Sequence, residues 1–238
     1  MKHAFAHLAT PEAPRRLGRR LWQLVLWLLI FILTRVEVEG ESRIPGSGPL
    51  IIYFNHIHYL DPFILAGVMG HIRYAVPVAK RELASGPVIG HLVDWYGSIF
   101  IERGQADVGA IRASLDVLAA GYALLISPEG TRNKESHSLQ RAQKGLGMLV
   151  RHTGATLMPV GIWGTTDFPA VFKQGRRPTI HLRFGRPFRM HIPEGVQRKV
   201  VEATITDYAM QELAGVLPKS MWGVYRPPAE PHPWVEYL

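Results

Sequence analysis

A chain of 238 residues, 47% hydrophobic and without cysteine, is long enough for one α/β domain with a sizeable core. The missing cysteine excludes disulfides, thiolate metal sites and a cysteine nucleophile. The formal net charge of +8 favours an anionic partner: a nucleic acid, a membrane surface or a phosphorylated substrate.

Residues 1–14 carry no periodic signal and read as a loose arm. Arg15, Arg16, Arg19 and Arg20 then precede an apolar run from Leu21 to Thr34. As a helix that run is on the order of 20 Å long, short of a hydrocarbon core of about 30 Å. Arg35-Val36-Glu37-Val38-Glu39 stands where a signal peptide would carry its small-residue cleavage site. The run therefore reads as an uncleaved helix dipping into one leaflet, with two Trp near the interface and four Arg on anionic headgroups. Each such Arg is worth about 1 kcal/mol. The competing reading is a buried core helix.

Val36–Gly40 alternates as an edge strand, and Ile44–Pro49 is a turn-rich loop. Pro49–Phe54 is a buried strand, and Phe63–Met69 is a short buried helix. Pro62 suits a first helical position, which makes Asp61 its expected N-cap. Ile72–Ala79 is a strand ending at Lys80, followed by a predicted helix from about Arg81 to Asp94. Ser98–Ile101 is a short strand. Ala106–Ala120 has helical spacing and stops at Gly121. Tyr122–Ile126 is a buried strand, and a polar loop runs from there to about Gln140. Ala142–His152 is a helix with Lys144 near its start. Thr156–Ile162 and Thr179–Phe184 are strands, and Glu194–Ala214 is the last helix. The prolines at Pro218, Pro227, Pro228, Pro231 and Pro233 predict an irregular tail.

Strands alternating with helices predict an α/β fold: a mostly parallel central sheet flanked by helices, with the N-terminal apolar membrane-associated helix added. The expected division is an anchoring segment over 1–35, an α/β domain over 36–215 and a Pro-rich tail over 216–238. Ligands of such sheets bind beyond the strand C-termini. His56 with Asp61, Lys80, Arg103, Glu129 and Arg132 all fall at such ends.

The chemistry follows from residue types. A strand delivering His56 and a loop returning Asp61 bring a carboxylate to one imidazole nitrogen, which makes the ring a general base. His58 competes for the same carboxylate, and spacing alone does not choose. There is no Gly-x-Ser-x-Gly elbow and no cysteine, so the base acts on a substrate hydroxyl or on water. Arg103 suits a phosphate, or else pairs with Glu102 at the surface. In Pro128-Glu129-Gly130-Thr131-Arg132, Gly130 permits close backbone approach and Arg132 adds charge. Glu129 either accepts from a substrate hydroxyl or holds the arginines, and the bland reading is an exposed turn. His56 and His58 have no third and fourth ligand at zinc spacing, so no metal is expected. No Gly-rich nucleotide loop is present.

Taken in order, these segments resemble the glycerolipid acyltransferase superfamily, typified by 1-acylglycerol-3-phosphate acyltransferase. The four blocks are Asn55-His56 through Asp61, Gly97 through Arg103, Pro128 through Arg132, and Met158-Pro159-Val160, with Lys144 as the basic residue expected after the third. Ser127 stands where a Phe is usual and Asn133 where a Ser is usual. The resemblance implies an enzyme of phospholipid biosynthesis in which His56 deprotonates a glycerol hydroxyl and Asp61 orients it. It implies that Arg103, Arg132, Glu129, Gly130, Thr131, Lys80 and Lys144 bind substrate. The acyl donor would be acyl-CoA or acyl-carrier protein, with no further cofactor, and the product phosphatidic acid. Membrane lipids and the donor thioester would be the partners, nucleic acid would not, and the site would face the cytoplasmic side of the cell membrane. Other lysophospholipids, glycerol-3-phosphate and glycolipids are alternative acceptors, and a non-catalytic anionic-lipid binder is the alternative role.

Overall fold

Leu50-Ile51-Ile52-Tyr53-Phe54 is buried along its whole length, and its side chains divide alternately between two cores. Ile51 and Tyr53 join one, while Leu50, Ile52 and Phe54 join the other. Only a strand covered on both faces gives that pattern. The computed structural model describes residues 13–70, 72–86, 90, 93, 96–102 and 107–238. Its strands are β1 (Arg35–Glu39), β2 (Leu50–Phe54), β3 (Ala75–Lys80), β4 (Ile99–Ile101), β5 (Ala123–Ile126), β6 (Thr156–Trp163), β7 (Thr179–Phe184), β8 (Phe188–Met190) and β9 (Val235–Tyr237). Its helices are α1 (Ala13–Leu33), α2 (Asp61–Met69), α3 (Val108–Ala119), α4 (Gly145–Thr153), α5 (Phe168–Lys173) and α6 (Arg198–Gly215).

The sheet runs β1-β7-β6-β2-β5-β3-β4, with β8 and β9 off that path. The block β6-β2-β5-β3-β4 is parallel throughout, as the alternation of strands and helices predicts. β7 runs antiparallel to β6, and β1 runs parallel to β7. Residues of α3, α4 and α6 fill the core on one face. α2 fills the other, and α1 packs on α2.

Four expectations change. α1 begins at Ala13 and takes in the arginine stretch, so its 21 residues span about 31 Å. Among the described residues no helix is long and apolar enough to cross a membrane. The helix has one buried and one exposed face. Gln23 and Leu26 are buried, and a Cβ on Gly67 of α2 would lie 2.5 Å from the Ile30 side chain. Leu21, Leu24, Trp27, Leu28, Leu29, Phe31 and Ile32 are exposed. Secondly, the helix expected from about Arg81 to Asp94 starts as a 3-10 turn, Arg81–Ser85, and most of its remainder lies outside the described residues. Thirdly, the tail is irregular only in part. It forms a 3-10 turn at Lys219–Met221 and then β9, which pairs antiparallel with β8. Its prolines fall in the connections, where no backbone donor is needed.

The fourth is Asp61, which is the first residue of α2 and not its cap. Its carboxylate turns back into the loop that precedes the helix.

α4 crosses α6 at Gly147, where a Cβ would fall 2.0 Å from the Glu202 carbonyl oxygen. The Gly147 amide donates to Thr206 Oγ1 across the same contact. Gly147→Ala must push the two helices apart, and it is expected to lower stability by about 1–3 kcal/mol in urea denaturation.

Candidate active site

β2 ends because a side chain takes over the sheet's hydrogen bonding. The Asn55 amide donates to the Ile162 carbonyl of β6 and accepts from the Ile162 N–H, both at 2.8 Å. This imitates one more rung of the ladder while the backbone itself turns away. The next residue, His56, is thereby set just beyond the C-terminal end of β2.

There the ring meets Asp61. His56 Nδ1 lies 2.9 Å from Asp61 Oδ2. The same oxygen accepts the amides of Ile57 at 2.8 Å and His58 at 2.7 Å. Asp61 is fully buried, whereas the His56 side chain keeps 16% of its surface exposed. An ionised carboxylate only accepts, so against it Nδ1 is the donor, and in the neutral ring that tautomer leaves the lone pair on Nε2. His58 does not compete. Only its amide reaches Asp61, and its own Nδ1 is buried without a partner. Burial lowers the His58 pKa against the pull of Asp61, and the Arg132 guanidinium and the His56 and His137 rings add to that lowering.

The loop after β5 is fastened to His56 from behind. The His56 amide donates to Glu129 Oε1 at 3.3 Å, and its carbonyl accepts from Asn133 N–H at 3.0 Å. Glu129 Oε2 accepts the Gln140 amide at 2.8 Å. Both oxygens of Glu129 are thus held by backbone, and the residue is only 2% exposed. It is a strut behind His56. Burial pushes its carboxyl up to about 7, against the two amides that favour the charged form. Gly130 takes a left-handed φ of 68°, with its amide closing a turn on Ser127 and unavailable to an anion. Thr131 is exposed and Arg132 half-buried on the same turn.

Residues 35–163, which hold every one of these groups, match the profile of the family described as Acyltransferase. The chain belongs to the acyltransferase family. It is 29% identical over 160 residues to a 1-acyl-sn-glycerol-3-phosphate acyltransferase of Borreliella burgdorferi, covering 62% of this chain and 60% of that one. It is 30% identical over 170 residues to a lyso-ornithine lipid O-acyltransferase of Pseudomonas aeruginosa, covering 64% and 63%. The chain thus spans less than two thirds of the length of these relatives. The crystal structure of the LPA acyltransferase PlsC from Thermotoga maritima superposes with a TM-score of 0.56 at 24% identity, covering 81% of this chain and 77% of that one. This likeness shows that the two share an α/β fold with a mostly parallel central sheet.

The other expected residues fall on different elements of the chain. Lys80 ends β3, which is separated from β2 by β5. Lys144 is exposed at the entry to α4, beside Gln143, whose amide donates to Pro128 O at 2.8 Å. Arg103 lies outside the described residues. Glu102, the surface partner considered for Arg103, pairs with Arg81 at 2.8 Å. Sequence reasoning missed two contributors: Asn55 as the terminator of β2, and Asn133 as the organiser of its own loop. The Asn133 side chain donates to Ser138 O and Ser136 Oγ and accepts the amides of Glu135 and Ser136. Asn is a turn-former of this kind.

The raised carboxyl of Glu129 gives a pH prediction. Unfolded, it loses its proton near 4.5, whereas folded it holds it to about 7. Unfolding between those values releases a proton, so this group removes stability as pH rises through that window, by about 3 kcal/mol at most. Urea denaturation at pH 5 and pH 8 measures the difference, and Glu129→Gln is expected to flatten that share of it.

Proposed function

We propose that the chain is a membrane-associated O-acyltransferase. It moves a fatty acyl group from an acyl thioester, acyl-CoA or acyl-carrier protein, to the free hydroxyl of a lysophosphatidate-like glycerolipid, and it forms phosphatidic acid. The observation that carries this reading is the contact of His56 Nδ1 with the buried Asp61, which leaves Nε2 as the base. Nε2 takes the proton of the acceptor hydroxyl as its oxygen bonds to the thioester carbonyl carbon. The tetrahedral adduct then collapses, the C–S bond breaks, and the thiolate recovers the proton from His56. No acyl-enzyme forms, and the thioester itself supplies the activation, so no further cofactor is called for. Arg132, with Thr131 and Lys144 nearby in sequence, is assigned to the acceptor phosphate, together with Arg103. Lys80 is assigned to the outer part of the same cleft.

The exposed apolar face of α1 supports action at a lipid surface. The cytoplasmic side of the cell membrane is assigned to it as part of the same proposal. In this reading residues 1–35 anchor, 36–215 catalyse and 216–238 complete the fold. A second acceptor class is supported by the 30% identity to a lyso-ornithine lipid O-acyltransferase.

The assay is thiol release from acyl-CoA, which has no protein background because the chain has no cysteine. His56→Ala is expected to lower kcat about 10²- to 10⁴-fold. Equal rates in variant and wild type remove His56 from the mechanism. Lysophosphatidate and lyso-ornithine lipid, run side by side, decide the acceptor. For the anchor, Leu21→Ser with Ile32→Ser is expected to weaken binding to anionic vesicles about tenfold per residue, as measured by sedimentation.

A further inference from the structure

The C-terminal segment from Met221 to Tyr225 lies outside the matched family residues and far along the chain from His56. It is nonetheless bonded to the loop that holds His56. Leu139 N–H donates to Met221 O at 2.9 Å, and Val224 N–H donates to Leu139 O at 3.3 Å. Ala142 N–H donates to the Tyr225 hydroxyl at 3.1 Å. Gly223 fits between these bonds with a left-handed φ of 57°, and a Cβ there would fall 1.9 Å from Leu139 O. Leu139 and Met221 are both buried in the larger core.

The residue after Leu139 is Gln140, whose amide meets Glu129 Oε2 at 2.8 Å. Glu129 Oε1 then accepts the His56 amide. The path from the tail to the imidazole is thus short: Met221–Tyr225, then 139–142, then Glu129, then the backbone of His56. Apart from the Glu129 carboxylate and the Tyr225 hydroxyl, every link is main chain. Hydrogen bonds of this kind position without demanding a particular neighbouring side chain.

We propose that Met221–Tyr225 is a strap that positions His56 for acyl transfer, with Gly223 and Tyr225 as positioning residues acting through Glu129. This rests on the reading of His56 as the base. A tail that merely covered the core would be indifferent to the Tyr225 hydroxyl, because Phe fills the same space. A strap is not indifferent, since displacements near 1 Å can cost a reaction about 10²-fold.

The test uses the full chain with acyl-CoA and lysophosphatidate. It compares kcat, KM and amide exchange over residues 54–58 in wild type, Gly223→Ala, Tyr225→Phe and the exposed tail control Glu230→Gln. Gly223→Ala is expected to lower kcat about tenfold or more, with KM for both substrates unchanged and faster exchange at the His56 amide. Tyr225→Phe shows the same pattern in weaker form, and Glu230→Gln behaves as wild type. A folded Gly223→Ala with wild-type kcat, or a loss confined to KM, overturns the strap, as does a lower kcat with unchanged exchange at His56. If Gly223→Ala does not fold, Tyr225→Phe decides, and wild-type kcat and exchange in it overturn the proposal. A wild type that turns over no acyl thioester refutes the base reading alone. Exchange at the His56 amide in the two variants then still upholds or overturns the strap.

Discussion

One buried oxygen, Asp61 Oδ2, fixes the site. It accepts three donors: the His56 ring and the amides of Ile57 and His58. Those two amides lie just past the end of β2, where pairing with the neighbouring strands has stopped. Left unpaired in a buried loop, each would cost roughly 1–3 kcal/mol. A carboxylate at the start of the next helix answers both, and its charge makes each bond stronger than a neutral one. The donors in turn make the burial of that charge tolerable. Backbone accounting and imidazole orientation are thus met by one group. Loop, ring and helix start are all tied to one atom.

The same accounting explains the other side of His56. Its amide and carbonyl both leave the sheet, and both find partners on the loop after β5, in Glu129 and Asn133. Asn133 departs from the residue usual after the third block, and its side chain explains how the loop accommodates the change. Its four bonds within 133–138 give that stretch an internal frame of side-chain-to-backbone contacts. The other departure, Ser127, leaves a buried hydroxyl without a partner among the described residues. Nothing in the structure explains it.

The strands around His56 were legible because their signal is local. β2 and β6 are continuous apolar runs, and a run of that length bounded by turns has few other readings. The link of His56 to Asp61 was legible as a possibility. The choice against His58 was not, because it depends on which ring the loop turns inward. The cap expected at Asp61 failed for a related reason: the carboxylate had three nearer donors upstream than the helix offers downstream. The burial of Glu129 was not legible, because a carboxylate beside a glycine turn is normally exposed. Its burial depends on Gln140 and His56, which only tertiary structure brings to it. The short pieces in the tail, β9 on β8 above all, were missed because prolines signal breaks, and breaks between short pieces look the same in sequence as absence of structure.

The register of the sheet carries the last step. β1 runs antiparallel to β2, since β7 reverses against β6 and β1 follows β7. Trp163, at the end of β6, faces His181, and Arg35 faces Thr179, still nearer the start of β7. The N-terminus of β1 therefore lies at the same end of the sheet as His56, and so does the C-terminus of α1 that leads into it. Arg177 secures that junction, with its guanidinium donating to the carbonyls of Phe31 and Thr34 and lying 5.6 Å from the Phe31 ring centroid. A cation on the last carbonyls of a helix is a favourable cap. The exposed apolar side chains in the last turns of α1, from Leu28 to Ile32, are thus held by the fold at the end where the proposed base emerges. A lipid acceptor reaching His56 from a bilayer would need no separate element to carry it across the molecule.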